Sequence, residues 1–260
     1  MLGKDHITLS LFTVSVILMP FFLDGTTTGL FILAMIGVGI GSLAPDADSP
    51  DAAIFHKNIR GLKGSTRKII NSWIGPFLPI FGFILKFLIY IPSVKIIQFL
   101  VKKDKISLQY KVTETHRGIL HSASGLIISS IALLVYSSVL MLIFPQLLST
   151  KAVLVFNIAF GIGFFLHLIE DSCTVSGVNF SFPISKIWLF KGEIRTGKFD
   201  RGTGIFESCL VGLNVCYFIG LSILEKKTSI STIQLELIVI ILVLLSWLTF
   251  IRLSGVKRLT

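Results

Sequence analysis

Imidazole and carboxylate side chains collect where one apolar run of the sequence ends. His167, Glu170 and Asp171 close the run that begins at Val153. Because His167 and Asp171 are four residues apart, a helix places them one turn apart on the same face, where the pair can hold a divalent cation. Ionisable groups in a membrane-embedded helix are rarely present without pairing or function. This pair therefore predicts a metal site.

Two other segments repeat the same combination of residue types. Asp46 and Asp48 follow the second apolar run, and His116 and His121 precede the fourth. Imidazole together with carboxylate suits Zn²⁺, and also Mn²⁺ or Fe²⁺. Each pair also has a plainer interpretation: the two Asp residues are common in turns beside Pro and Ser. The two His residues, five apart, do not share one helical face, so one of them must precede the helix.

The composition predicts an integral membrane protein that forms one helical domain over residues 1–260. Hydrophobic residues make up 53% of the chain and charged residues 15%, whereas soluble domains carry about 25% charged residues. The apolar residues form runs long enough to cross a bilayer, which takes about 20 residues each. The expected fold is an all-α, polytopic bundle with about six full crossings, near residues 7–23, 29–44, 119–144, 153–169, 205–224 and 233–252.

Residues 73–100 form an apolar run that differs from the others. Pro76, Pro79 and Pro92 interrupt it, and both of its flanks are basic. A single crossing would leave one basic flank on the outer side, against the usual charge distribution. We therefore expect a re-entrant or interfacial helical segment here.

The formal net charge of +10 indicates topology rather than nucleic-acid binding. Most of the 24 Lys and Arg residues fall in segments that are cytoplasmic if the N-terminus is inside, whereas the outer loops contain Lys151, Lys226 and Lys227. This bias follows the positive-inside rule and places both termini in the cytoplasm. The same topology brings all five histidines, including His6 and His56, to the cytoplasmic face. The basic segments are expected to face anionic lipid headgroups.

The segments APDADSP, HRGILHS and HLIEDSCTVSGVNFSFPIS, in this order, resemble the YdjM-like, LexA-regulated inner-membrane proteins, a family of expected metal-dependent hydrolases. The resemblance covers residues 1–185, and it departs from the family in the long segment 73–100 and at Leu120, where Thr is usual. The family's motif residues correspond here to His6, Asp46, Asp48, His116, Arg117, His121, Ser122, His167, Asp171, Thr174, Gly177 and Pro183.

These observations predict hydrolysis of a phosphoester or related bond, in a lipid-linked substrate, at the cytoplasmic face of the inner membrane. Asp48 and His121 would take part in catalysis, and Arg117 would neutralise charge on the substrate. The cation is expected to be Zn²⁺, with Mn²⁺ or Fe²⁺ as alternatives, and the expected partners are membrane lipids. The predicted metal ligands are His6, Asp46, Asp48, His116, His121, His167 and Asp171.

Two other classes of protein fit the same residues. In a cation or proton transporter or channel, the cluster would bind the travelling cation or relay protons. Transporters place such groups near the middle of the bilayer, whereas these residues lie at the ends of the apolar runs. In a structural membrane protein, a bound metal would only hold the helices together.

Overall fold

The chain folds into a bundle of α-helices, which confirms the expected all-α, polytopic class. A computed structural model describes residues 1–23, 27–49, 51–59, 61–102, 118–185, 187–195, 200–224 and 232–259. Its α-helices are α1 (Gly3–Leu23), α2 (Thr28–Gly41), α3 (Gly64–Trp73), α4 (Leu78–Phe83), α5 (Ile91–Lys102), α6 (Ala123–Ile143), α7 (Thr150–Ser172), α8 (Arg201–Leu224) and α9 (Thr232–Leu253).

Five helical stretches of the described chain are long and apolar enough to cross a membrane. The α2 helix is also apolar but shorter. By contrast, α1 lies inside the bundle, where it contacts α2, α7, α8 and α9. The candidate spans, judged by length and composition, are Leu78–Phe99, Ala123–Ile143, Thr150–Ser172, Arg201–Leu221 and Gln234–Leu253.

Within residues 73–100 the structure shows a continuous helix and no re-entrant reversal, while an interfacial position stays a prediction. The α4 helix continues through a π-helical stretch, Ile84–Tyr90, into α5 without reversing direction, so residues 78–99 are a candidate for a full crossing. Pro92 has no N–H to donate to the carbonyl of Leu88 four residues earlier. The Tyr136 hydroxyl of α6 donates to that carbonyl instead, at 3.1 Å. A neighbouring helix thus satisfies the group that the proline frees.

Two smaller features were not expected from the sequence. The α3 helix forms inside a segment that the sequence presents as polar. A three-stranded antiparallel sheet also joins the loop after α7 to the end of the chain. Its strands are β1 (Val178–Asn179), β2 (Leu189–Lys191) and β3 (Lys257–Leu259).

Glycines bring α2 and α7 into backbone contact, and Gly37 and Gly41 of α2 both face α7. A Cβ atom added at Gly41 would overlap the Phe160 carbonyl oxygen, and one at Gly163 would overlap the Val38 carbonyl oxygen. Only glycine permits this approach between helices. It places the last turn of α2 beside the second half of α7.

Replacing Gly163 by Val is expected to separate α2 from α7, because the new side chain meets backbone that cannot move aside. Overpacking of this kind costs up to about 3 kcal/mol. Thermal unfolding in detergent should show a clearly lower midpoint. Gly212, where an added Cβ meets nothing within 4 Å, provides the control variant Gly212→Val. Equal midpoints for the two variants would contradict the proposed role of the glycine contact.

Candidate metal centre

Three histidines from three separate elements meet at one end of the bundle. His6 lies in the first turn of α1, His121 ends a 3₁₀ turn (Ile119–His121) directly before α6, and His167 lies near the end of α7. All three are at most 3% exposed. The rings of His6 and His167 are stacked with their centroids 3.9 Å apart, and His121 is edge-on to His167 at 5.4 Å.

Two carboxylates complete the cluster between these rings. The His121 Nε2 atom lies 3.4 Å from Asp46 Oδ1 and 3.6 Å from Asp171 Oδ2. The His167 Nε2 atom lies 3.8 Å and 3.7 Å from the same two oxygens. Four ligand atoms held at about 2.1 Å from a tetrahedral Zn²⁺ are about 3.4 Å apart. The observed spacing is therefore close to that of atoms that share one cation.

His6 approaches the cluster on the other oxygen of Asp171. Its Nε2 atom lies 3.6 Å from Asp171 Oδ1, and the N-terminal ammonium lies 3.4 Å from the same oxygen. Donor atoms of His6, Asp46 and His167 also fall within 4.8 Å of one another. His6 thus adds a third imidazole nitrogen beside the two of the central group.

Each ring also has an acceptor at its outer nitrogen. His167 Nδ1 is 2.7 Å from the carbonyl oxygen of Ser42, His6 Nδ1 is 2.5 Å from Glu170, and His121 Nδ1 is 3.5 Å from Asp48. Histidines that bind metals almost always donate their other N–H to a carbonyl or carboxylate. These oxygen atoms form an outer layer that orients the three rings, so that each Nε2 atom faces the centre of the cluster.

His167 tests most directly whether these residues fit a cation. A carbonyl oxygen only accepts hydrogen bonds, so Nδ1 carries a hydrogen, and Nε2 is the atom whose lone pair can bind a cation. That Nε2 atom is buried and has no hydrogen-bond partner among the described residues. A lone pair that faces two carboxylate oxygens is unfavourable unless positive charge lies between them. The donor set therefore fits a divalent cation, with the mixed N and O ligands that Zn²⁺, Mn²⁺ or Fe²⁺ accepts.

The ionisation of the residues outside the membrane spans agrees with this arrangement. Burial disfavours the Asp46 carboxylate, but the neighbouring His167 and His121 outweigh burial and hold its pKa well below the usual range. Burial likewise lowers the pKa of His121, but hydrogen bonding to Asp46 and Asp48 and the charge of Asp171 raise it to about 9. Without a metal, a proton on His121 thus supplies positive charge at neutral pH.

The structure brings together most of the residues that the sequence singles out. His6, Asp46, His121, His167 and Asp171 form the inner cluster, and the Asp48 carboxylate faces the outer nitrogen of His121. His56 is exposed on the surface. Two further predicted residues, His116 and Arg117, lie outside the described residues.

Two members of the outer layer were not among the predicted site residues. Glu170 is next to Asp171 in an otherwise apolar helix. Because carboxylates in such helices are rarely unpaired, its presence could have indicated a role in the site. Ser42 contributes its backbone carbonyl. Because every residue has a carbonyl, no sequence pattern identifies this contact.

Other motif residues shape the backbone around the cluster. Thr174 Oγ1 donates to the Asp171 carbonyl at 2.7 Å, and Gly177, with a φ of 69°, donates its N–H to the Thr174 carbonyl. Ser122 caps α6 by accepting from the N–H of Gly125. Thr174 and Gly177 thus build the turn after α7, and Ser122 starts the helix that follows His121.

Metal affinity is expected to increase about tenfold from pH 7 to pH 8, because a cation must displace the proton that His121 holds with a pKa of about 9. Affinity should level off above that pKa. Competition titrations with a zinc chelator at several pH values measure the slope. Asp48→Asn, which removes one cause of the raised pKa, should shift the levelling-off to lower pH. A wild-type affinity that does not change between pH 7 and 8 would contradict the assignment.

The stability of the metal-free fold is expected to change with pH in the opposite direction to the metal affinity. Because folding raises the pKa of His121 from 6.5, its stabilising contribution is fully present below pH 6.5 and is lost as the pH rises through about 9. Unfolding of chelator-treated protein across this range gives an independent check on the same group.

The family resemblance is supported by a match over nearly the whole sequence. A family model described as "YdjM inner membrane protein" matches residues 1–254, which include every residue of the cluster and extend through α8 and α9. Comparisons with curated proteins and with solved structures gave no match. Together with the apolar helices, the family match supports a membrane location. The chain belongs to the YdjM inner membrane protein family.

Proposed function

We propose that this protein is a metal-dependent hydrolase that cleaves a phosphoester or related bond in a lipid-linked substrate. The observation that supports this proposal best is the orientation of the three histidines. The Nε2 atoms of His121 and His167 face Asp46 and Asp171, the Nε2 atom of His6 faces Asp171, and each Nδ1 has an oxygen atom beside it. Plain ion pairs between His and Asp do not require this common orientation, whereas metal ligands do.

Five side chains would hold the cation: His6, Asp46, His121, His167 and Asp171. Held by these residues, a divalent cation would lower the pKa of a bound water and polarise a phosphoryl oxygen of the substrate. Asp48 would orient His121 from behind, through the contact at Nδ1. In this geometry Asp48 would orient His121 rather than bind the cation itself. The role of His121 would be to bind the cation rather than to transfer a proton.

Asp46 gives the cluster its exposed edge. Its side chain is 23% exposed, whereas the side chains of His6, His121, His167 and Asp171 are at most 2% exposed. A substrate and the attacking water would therefore enter past Asp46. Hydrolysis joins the water oxygen to phosphorus, breaks the P–O ester bond and transfers a water proton towards the leaving oxygen. The Asp46 carboxylate would orient the attacking water by accepting a hydrogen bond from it.

The substrate class follows from the position of the cluster at the helix ends. The α2 and α7 helices both end there, and α1 and α6 begin there, so lipid headgroups lie at a similar depth. The positive-inside distribution of Lys and Arg supports a cytoplasmic location for this end and for both termini. Arg117 would neutralise the substrate's charge, which stays a prediction from the sequence.

A structural metal site is the second candidate, because burial of four of the five ligand side chains is also typical of ions that only hold a fold together. Such a protein would bind the cation and lose stability with it, but would not turn over any substrate. Metal content and hydrolysis therefore have to be measured on the same preparations.

Purified wild-type protein is expected to contain close to one equivalent of zinc, manganese or iron by elemental mass spectrometry. His167→Ala and Asp171→Ala should each lose most of this metal, because each removes a ligand shared by the central group. His56→Ala is the matched control, since this histidine is exposed. A metal-free wild type that is well folded, with His167→Ala equally folded, would overturn the proposal.

Metal-loaded wild type in proteoliposomes is expected to release phosphate or headgroup from at least one phosphoester lipid. Phosphatidic acid, phosphatidylglycerol and a polyprenyl diphosphate form a suitable panel. Asp46→Asn should reduce the rate at least 100-fold, because it alters the one partly exposed ligand. Full metal occupancy without turnover of any of these lipids, together with a large loss of stability on chelation, would favour the structural site.

A further inference from the structure

Glu170 is a fully buried carboxylate beside the inner cluster, and the proposed ligand set does not use it. Both of its oxygens have donors from α1: Oε2 lies 2.5 Å from His6 Nδ1, and Oε1 accepts from the Ser10 hydroxyl at 3.2 Å. His6 and Ser10 are four residues apart, so they share a face of α1. One side chain of α7 is thus held by two side chains of one turn of α1.

The contact with Glu170 bears on which nitrogen of His6 carries the ring hydrogen. An ionised Glu170 only accepts hydrogen bonds, so it would keep the hydrogen on Nδ1 and leave the Nε2 lone pair facing Asp171, 3.6 Å away. The other tautomer would direct an N–H at the site and could not bind a cation. Without an acceptor at Nδ1, the buried ring would have no reason to prefer the binding tautomer.

We propose that Glu170 is a positioning residue that makes His6 a metal ligand, and that Ser10 holds Glu170 in place. The inference rests on the proposed metal centre and deepens it. It divides the two acidic residues at the end of α7 between two tasks: Asp171 lies among the donor atoms, and Glu170 acts through His6. The other two histidines have different acceptors, Asp48 and the Ser42 carbonyl, so the effect of Glu170 should be confined to His6.

The test begins with Glu170→Met, which has a similar length but is a poor acceptor for an N–H. Zinc affinity, measured by chelator competition, should fall about 10- to 100-fold, as is typical when the partner of a metal-binding histidine is lost. Glu170→Gln keeps an amide oxygen that can still accept from Nδ1, so its loss should be smaller. X-ray absorption of the zinc-loaded Glu170→Met protein should show one imidazole fewer than wild type.

A double-mutant cycle with His6→Ala separates positioning from a general structural role. If Glu170 acts only through His6, Glu170→Met should not lower zinc affinity further in the His6→Ala background. Glu207→Met, which removes a partly buried carboxylate of α8 outside the cluster, is the control and should leave zinc affinity unchanged. The unfolding midpoint of each zinc-free variant shows whether affinity follows stability.

The outcomes distinguish this inference from the proposed function. Equal affinity losses for Glu170→Met in both backgrounds, or unchanged affinity in both, would overturn the positioning role while leaving the metal centre intact. Wild-type protein that binds no zinc, manganese or iron would overturn both. Loss of zinc affinity and of one imidazole in Glu170→Met, absent from the His6→Ala background, is the result that we expect.

Discussion

The arrangement of the site depends on two neighbouring carboxylates, Asp46 and Asp171, that face the same two histidine nitrogens. In a low-dielectric environment, neighbouring anions are unfavourable unless positive charge lies between them. A proton on His121, whose pKa is raised to about 9, provides this charge without a metal, and a divalent cation provides it more completely. The same requirement explains why the cluster combines three imidazoles with carboxylates and is closed off from solvent on most sides.

Backbone packing brings these charges together. The contact between α2 and α7 at Gly41 and Gly163 places the first residue after α2, Ser42, where its carbonyl accepts from His167. The chain then turns through the 3₁₀ segment Pro45–Asp48, which carries Asp46 to the inward face of the His167 ring. The C-terminal ends of α2 and α7 also lie near the site, and the negative end of a helix dipole favours a cation. A small-residue contact thus supports the geometry of the charged cluster.

The sequence predicted much of the site because charged side chains stand out in apolar runs. The spacing of four residues between His167 and Asp171 was sufficient to predict that they share a helical face. Asp46, Asp48 and His121 were predicted as site residues because imidazole and carboxylate groups are common metal ligands. The supporting contacts were harder to predict, since Ser42 acts through its backbone and the donor to the Leu88 carbonyl is the hydroxyl of Tyr136, on another helix. The basic flanks of residues 73–100 favoured a re-entrant or interfacial segment, whereas the structure shows a helix that continues through Pro92. Local patterns do not contain such tertiary contacts.

The uneven exposure of the proposed ligands bears on whether a cation held there would be catalytic or structural. A structural ion gains most from a closed shell, in which every ligand is protein and no position is left for water. Here four ligand side chains are almost fully buried, but Asp46 is 23% exposed and lies in a turn rather than inside a helix. Solvent exposure of one ligand lowers the stability of a metal site, because water competes for the cation and the ligand is more mobile. A purely structural site has no compensating benefit from that exposure. An enzyme needs such an edge for substrate and water to reach the cation, so this asymmetry favours catalysis.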